Sequence, residues 1–331
     1  MIFSGLKNSL FYFKLLIFSI SIFLLACSKK SIDLPFSEIQ TPISTRINKT
    51  FWQNALTGFI CGGEKGNSGY IYKTNDGGIS WQIAHQTTNQ SLYDIYFVDS
   101  LTGYCCGESL LLLTTNDGGL TWNKFNYPIE APSYEILTLR AITGNKNFVL
   151  IVGGDNFNLG VSLKFINGGF PWQFYRYDAE MRTAVAFNIH NYISCGYGLT
   201  YQTKDTGFNF TPLPATNDFF TGSSVTNNTA FACGYNGGIY TIGHTENSWT
   251  QILDANKAFK RSHIHLNGIC MINETYGYAV GNDGLVLKTT NGKDWKKCNP
   301  LGNSNLLSIS KNNNGQLVIS SQTGKLYVIE I

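Results

Sequence analysis

A short motif recurs at a nearly constant interval through most of this chain, and a period of that kind limits the available folds more than any composition does. Thr57-Gly58-Phe59-Ile60-Cys61-Gly62 returns as Thr102-Gly103-Tyr104-Cys105-Cys106-Gly107 and as Tyr276-Gly277-Tyr278-Ala279-Val280-Gly281. Weaker copies run over 148–153, 192–196 and 230–234, and a last one, without the glycine, over 316–321. With Cys61, Cys106, Val152, Cys195, Cys233, Val280 and Ser320 taken as equivalent, the intervals are 45, 46, 43, 38, 47 and 40 residues. Four short strands fit within each interval. A period of about 40–45 residues with four strands predicts an all-β fold, a β-propeller whose blades close radially and leave few exposed edges. Seven copies predict seven blades.

The second copy illustrates the expected unit: an inner strand over Leu92 to Phe97, a second over Gly103 to Gly107, a third over Leu110 to Thr114, and an outer strand over Trp122 to Tyr127. The last copy has three strands, Leu306 to Ser310, Leu317 to Ser321 and Lys325 to Ile331, and no outer one. The segment Phe36-Ser37-Glu38-Ile39-Gln40 precedes the first inner strand, placed around Lys49 to Gln53. We therefore expect an N-terminal strand to complete the last blade, hiding an open edge. Charged residues are only 14% of the 331 residues, against about 25% in an average domain, which excludes a coiled coil or helical array.

Between the third and outer strands lies a turn. Thr74-Asn75-Asp76-Gly77-Gly78-Ile79-Ser80-Trp81 and Thr115-Asn116-Asp117-Gly118-Gly119-Leu120-Thr121-Trp122 are its fullest forms. Asp205 and Phe210 mark a third copy, Asn167 to Trp172 and Asn291 to Trp295 replace Asp by Asn, and Glu246 to Trp249 keeps mainly the Trp. An Asp here can cap its own turn, Gly supplies positive φ, and the aromatic can be buried between blades. Asp76, Asp117 and Asp205 are thus read as structural, with Trp81, Trp122 and Phe210 as their interblade plugs. These turns resemble the Asp-box of the bacterial neuraminidase (BNR) repeat. The whole unit, carried by Ile95, Phe97, Thr102, Gly103, Tyr104, Gly107, Thr115, Asp117, Gly118, Gly119, Thr121 and Trp122, resembles that of photosystem II assembly and stability factor-like propellers. That resemblance implies a non-enzymatic interaction scaffold. Photosynthetic members carry a basic, Arg-rich surface; this chain has five Arg.

Residues 1–26 read as a secretory signal: Lys7 and Lys14, then an apolar run from Leu15 to Ala26. Leu24-Leu25-Ala26-Cys27 resembles the bacterial lipobox, which implies cleavage before Cys27 and its lipidation. Residues 27–33 would then be a tether and 34–331 the propeller. The expected location is the bacterial cell envelope, at the outer membrane, with the membrane reached through the lipid. Removing the signal takes away two of 24 basic residues and no acidic one, so net charge falls from +3 to +1. No electrostatic case for nucleic acid remains.

Seven cysteines follow Cys27. Four share one repeat position with valines, which reads as small apolar core filling by free thiols. His263 and His265 are placed on one strand face, but no third metal ligand is evident, and neither metal nor cofactor is expected. None of Arg46, Arg140, Arg176, Arg182 and Arg261 lies in the sialidase Phe/Tyr-Arg-Ile/Leu-Pro motif, so no enzyme is expected.

Ligands of propellers meet inner-strand ends and face loops. Aligning the repeats puts Lys49, Asp94, Arg140, Thr183, Thr221, Gly268 and Ser308 at one inner-strand position, preceded by Asn48, Tyr93, Leu139, Arg182, Phe220, Asn267 and Leu307. The candidate rim is Lys49, Tyr93, Asp94, Arg140, Arg182 and Phe220, facing an envelope protein. The alternative is a glycan, bound or cleaved in sialidase-like fashion, with Tyr93, Tyr134, Phe219 and Phe220 as possible platforms.

Overall fold

In the computed structural model the described residues are 31–127, 137–166, 169–216 and 218–331, with the side chains of 169–172 left aside. The signal, Cys27 and most of its tether, Tyr134, and Asn167 with Gly168 lie outside them. Within 33–331 the strands form seven four-stranded antiparallel sheets, six of them built in chain order from inner to outer strand. Blade 1 comprises Ile47–Trp52, Gly58–Glu64, Ser68–Thr74 and Gln82–Thr88. The inner strands of blades 2 to 7 are Leu92–Phe97, Thr138–Asn145, Met181–Ala186, Phe220–Val225, Leu266–Met271 and Leu306–Lys311. Each inner strand packs beside the next, and that of blade 7 returns to blade 1, so the ring is closed.

Blade 7 has Ser37–Ile39 as its outer strand, antiparallel to Leu326–Glu330, with Ser37 opposite Val328 and Ile39 opposite Leu326. Ile39 and Ile43 pack on a core of Ile47, Trp52, Ile60, Val318 and Leu326, which bridges blades 1 and 7. The N-terminal strand therefore closes the propeller as expected. In blade 2 the outer strand is shorter than expected, Asn123–Lys124, because Phe125 and Tyr127 turn onto the core of blades 2 and 3. The Tyr127 hydroxyl donates to the Leu110 carbonyl at 3.0 Å. Ser109 and Leu110 have positive φ, so the third strand starts at Leu112 instead of Leu110.

The Asp-box turns are closed by their own side chains. Asp117 accepts from the Thr115 hydroxyl at 2.7 Å, the Leu120 N–H at 2.9 Å and the Thr121 N–H at 3.0 Å. Asp76 and Asp205 make corresponding bonds to Thr74 and Ser80 and to Thr203 and Asn209. Gly119 is at φ 75°, and a Cβ there would lie 2.5 Å from the Phe59 ring of blade 1. That close approach lets Trp122 reach Phe97, 5.7 Å between centroids, in a core holding Phe59 and Ile71 from blade 1. Phe210 likewise packs on Tyr175 of blade 3 at 4.0 Å. The cysteines after Cys27 are all free, and Cys105 and Cys106 point into different cores.

Two outcomes follow. Deleting 34–42 removes a strand and the buried Leu34, at about 1.5–3 kcal/mol per large apolar side chain. The melting temperature should fall by about 10 °C or more in a calorimetric scan. The Ser80 hydroxyl and N–H hold the Asp76 carboxyl down at about 2, the Asn209 N–H and amide do the same for Asp205, and the Thr121 hydroxyl also lowers Asp117. A depressed carboxyl stabilises the fold above the unfolded value near 4, and that contribution is lost as pH falls toward 2. Urea titrations at pH 5 and 2.5 should show this acid loss reduced in Asp76→Asn/Asp117→Asn/Asp205→Asn.

Candidate functional site at the channel mouth

Every inner strand carries a one-residue bulge at the same place. In blade 1, Ile47 faces Gly62 and Lys49 faces Cys61, which leaves Asn48 unpaired in the ladder. The same shift leaves out Tyr93, Arg140, Arg182, Thr221, Asn267 and Leu307 in blades 2 to 7. These seven residues line the central channel. A bulge bends the strand and re-aims the side chain of the extra residue.

This register corrects the sequence alignment in two blades. Arg140 belongs with Tyr93 and Arg182, not with Lys49 and Asp94, and Thr221 moves with it. Phe220 is then equivalent to Ile47, Leu92, Leu139, Met181, Leu266 and Leu306, all of which are fully buried. Phe220 therefore leaves the candidate rim: it packs against Tyr240 and Trp249, both at 5.2 Å. A one-residue slip in a strand exchanges the two faces, which is why the misplacement mattered. Lys49, Tyr93, Asp94, Arg140 and Arg182 do line the channel. His263 and His265 share no strand face, because the strand begins at Leu266 and His263 has φ 60°.

Three bulge residues stitch the ring. The Asn48 amide donates to the Leu92 carbonyl at 2.7 Å, the Thr221 hydroxyl to the Leu266 carbonyl at 2.6 Å, and the Asn267 amide to the Leu306 carbonyl at 2.8 Å. In blades 3 and 4 the position instead holds arginines that converge on Glu180, a residue the sequence reading passed over. Its carboxylate is fully buried. Arg140 Nε donates to Glu180 Oε1 at 2.6 Å, and Arg182 Nη1 lies 3.4 Å from Oε2. Burial opposes the Arg140 charge, but the Glu180 carboxylate and its hydrogen bond outweigh it and raise the guanidinium pKa. Arg140 also lies 4.5 Å over the Tyr93 ring, and Arg182 donates to the Tyr197 hydroxyl at 2.7 Å.

Beside this cluster, Lys49 Nζ is 3.7 Å from the buried carboxylate of Asp94. Asp94 accepts from the Ile95 N–H at 2.8 Å and, across the blade boundary, from the Ile142 N–H at 2.9 Å. Burial raises its pKa against the pull of Lys49 and these donors. The cavity encloses about 180 Å³, smaller than the roughly 300–1,000 Å³ of a small-molecule pocket. It suits a side chain or a chain end. No signal in the one-dimensional pattern marks Glu180, because its role comes from two arginines 40 residues and two residues away in the chain.

Removing one member of a buried ion cluster strands the other charges. Arg140→Met should therefore destabilise the protein by about 3–5 kcal/mol in urea titration. Adding Glu180→Gln should restore much of that loss, and the more exposed Arg182→Met should cost about 1 kcal/mol or less.

The family model described as photosynthesis system II assembly factor YCF48 matches residues 80–211. No curated protein sequence matches the chain. Among solved structures, YCF48 bound to D1 peptide superposes with a TM-score of 0.70 at 17% identity, covering 91% of this chain and all of that one (100%). YCF48 from Cyanidioschyzon merolae gives 0.67 at 14% identity, over 89% of this chain and 98% of that one. A streptogramin B lyase structure gives 0.68 at 12% identity, over 92% and 99% of the two chains. At these identities the structural matches establish the fold, and the repeat chemistry narrows it. The chain is a seven-bladed β-propeller with Asp-box turns, and over residues 80–211 it is similar to the photosystem II assembly factor family.

Proposed function

We propose that this propeller is a non-catalytic scaffold that holds a segment of a partner protein at the channel mouth. It does so from a lipid anchor on Cys27 at the bacterial cell envelope, on the outer membrane. The observation that carries the reading is the replacement of ring-stitching residues by Arg140 and Arg182 around a buried Glu180, with Tyr93 and Lys49 alongside. A guanidinium pair preorganised by a shared carboxylate, with further N–H donors on each fork, suits a carboxylate or carbonyl-rich segment. Both carboxylates of the mouth are already engaged, Asp94 by two backbone N–H groups and Glu180 by the arginines, which suits binding better than acid–base chemistry. The solved structure of YCF48 bound to D1 peptide adds support, since it is a similar propeller with a peptide bound.

Affinity capture from detergent-solubilised envelopes tests the reading. The intact chain should retain one partner at least tenfold over Arg140→Gln/Glu180→Gln/Arg182→Gln, with both proteins folded. Equal capture, or turnover of a fluorogenic glycoside panel by the intact chain, would remove it. In the same cells, labelled palmitate should enter the protein and be lost in Cys27→Ser.

A further inference from the structure

The channel mouth opens on one face of the propeller. Strands alternate in direction, so the turns between second and third strands and the approaches to the inner strands share that face. On it, blades 3 to 6 carry aromatic side chains that neither core nor channel absorbs. Phe157 lies in the second-to-third turn of blade 3 and is 64% exposed. Its ring is 4.5 Å from that of Tyr197 in the corresponding turn of blade 4, and Tyr197 is 5.1 Å from Phe219. The Tyr235 N–H donates to the Phe219 carbonyl at 2.9 Å, and its ring, with Tyr235 49% exposed, stacks on His265 at 3.8 Å. The result is an arc beside the mouth in which ring contacts join Phe157, Tyr197 and Phe219, and a backbone hydrogen bond links Phe219 to Tyr235. Exposed large aromatics in contact with one another mark a binding surface more than a chance of composition.

The arc joins the charged site directly. Arg182 donates to the Tyr197 hydroxyl at 2.7 Å and lies 5.5 Å from the ring, while its side chain stays 29% exposed. A ligand lying along the arc therefore passes a cation at Tyr197. Phe157, Tyr197 and Phe219 are mutually inclined, at 40° between Phe157 and Tyr197, 69° between Tyr197 and Phe219, and 71° between Phe157 and Phe219, while Tyr235 stacks on His265 at 21°. Inclined rings leave ridges and furrows instead of a flat platform for a sugar. Furrows between aromatics take the prolyl rings of a polyproline II segment, which is extended and already ordered, so little entropy is lost on docking.

We propose that the arc formed by Phe157, Tyr197, Phe219 and Tyr235 is a docking groove for a proline-rich, polyproline II segment of the partner, whose Asp or Glu side chain pairs with Arg182. This rests on the reading of the mouth as a protein-binding site and specifies the class of segment it takes.

An array of immobilised synthetic dodecapeptides tests it. One series carries Pro-x-x-Pro with a single Asp or Glu; three controls replace the acid by Lys, both prolines by Ala, or both features. The full chain should retain the proline–acid series at least tenfold over the proline-free acidic one. Phe157→Ser/Tyr235→Ser, at exposed positions and with an unchanged thermal melt, should lose that preference. Arg182→Gln should lose the preference for acid over Lys. Equal binding of acidic peptides with and without proline, or unchanged binding by the aromatic variant, overturns the groove and leaves the channel reading standing. If the intact chain retains no peptide, the groove is overturned, and the channel reading is decided by the envelope capture. Glycan-array binding that disappears in Phe157→Ser/Tyr235→Ser would reassign the arc to a glycan and overturn the proposal.

Discussion

The inner strand of each blade has a strand partner on one side only, and its other edge faces the channel. Backbone donors and acceptors on that edge need partners, as any buried polar group does. Here neighbouring blades supply them with side chains: Asn48, Thr221 and Asn267 reach the carbonyl of the next inner strand, and Asp94 accepts the Ile142 N–H. Thr50 and Ser310 join blades 1 and 7 at 2.6 Å, and Thr183 and Ser223 join blades 4 and 5 at 2.5 Å. The bulge makes the main stitch possible, because it turns an extra side chain toward the channel without disturbing the apolar residue before it.

The candidate site lies where that stitch is given up. Blades 2 to 4 place Tyr93, Arg140 and Arg182 where blades 1, 5 and 6 place Asn or Thr and blade 7 places Leu307. The two long cations need a counter-charge, and Glu180 supplies it from the approach to blade 4, buried beneath them. A buried carboxylate is costly unless paired and hydrogen-bonded, so the cluster holds its own geometry tightly. The charged part of the ring is therefore local, confined to adjacent blades, while the Asp-box is kept in full in blades 1 and 2 and in altered form elsewhere.

How much of this was legible in one dimension depends on the range of the interaction. The equivalence of Cys61, Cys106, Val152, Cys195, Cys233, Val280 and Ser320 matches the observed register in every blade, since each faces the residue just after the bulge. The spare N-terminal strand was readable because a repeat short of one strand leaves an edge that something must cover. Phe220 was misread, and Glu180 was missed. An inner strand of six to eight residues with a bulge has no clean alternation, so the apolar and channel-facing positions of Thr138–Asn145 and Phe220–Val225 could be aligned one residue apart.

The sequence by itself determined the period, the number of blades, the Asp-box turns and the closing strand, because these depend on contacts within a repeat or on a missing one. Tertiary structure alone decided which side chains share the mouth. That choice turns on a bulge that reverses strand faces and on a carboxylate whose partners come from two blades. It also assembled the aromatic arc from segments of three successive blades, Phe157, Tyr197, Phe219 and Tyr235. Charge pairing and ring contact across blades act through space, and spacing along the chain carries no trace of them.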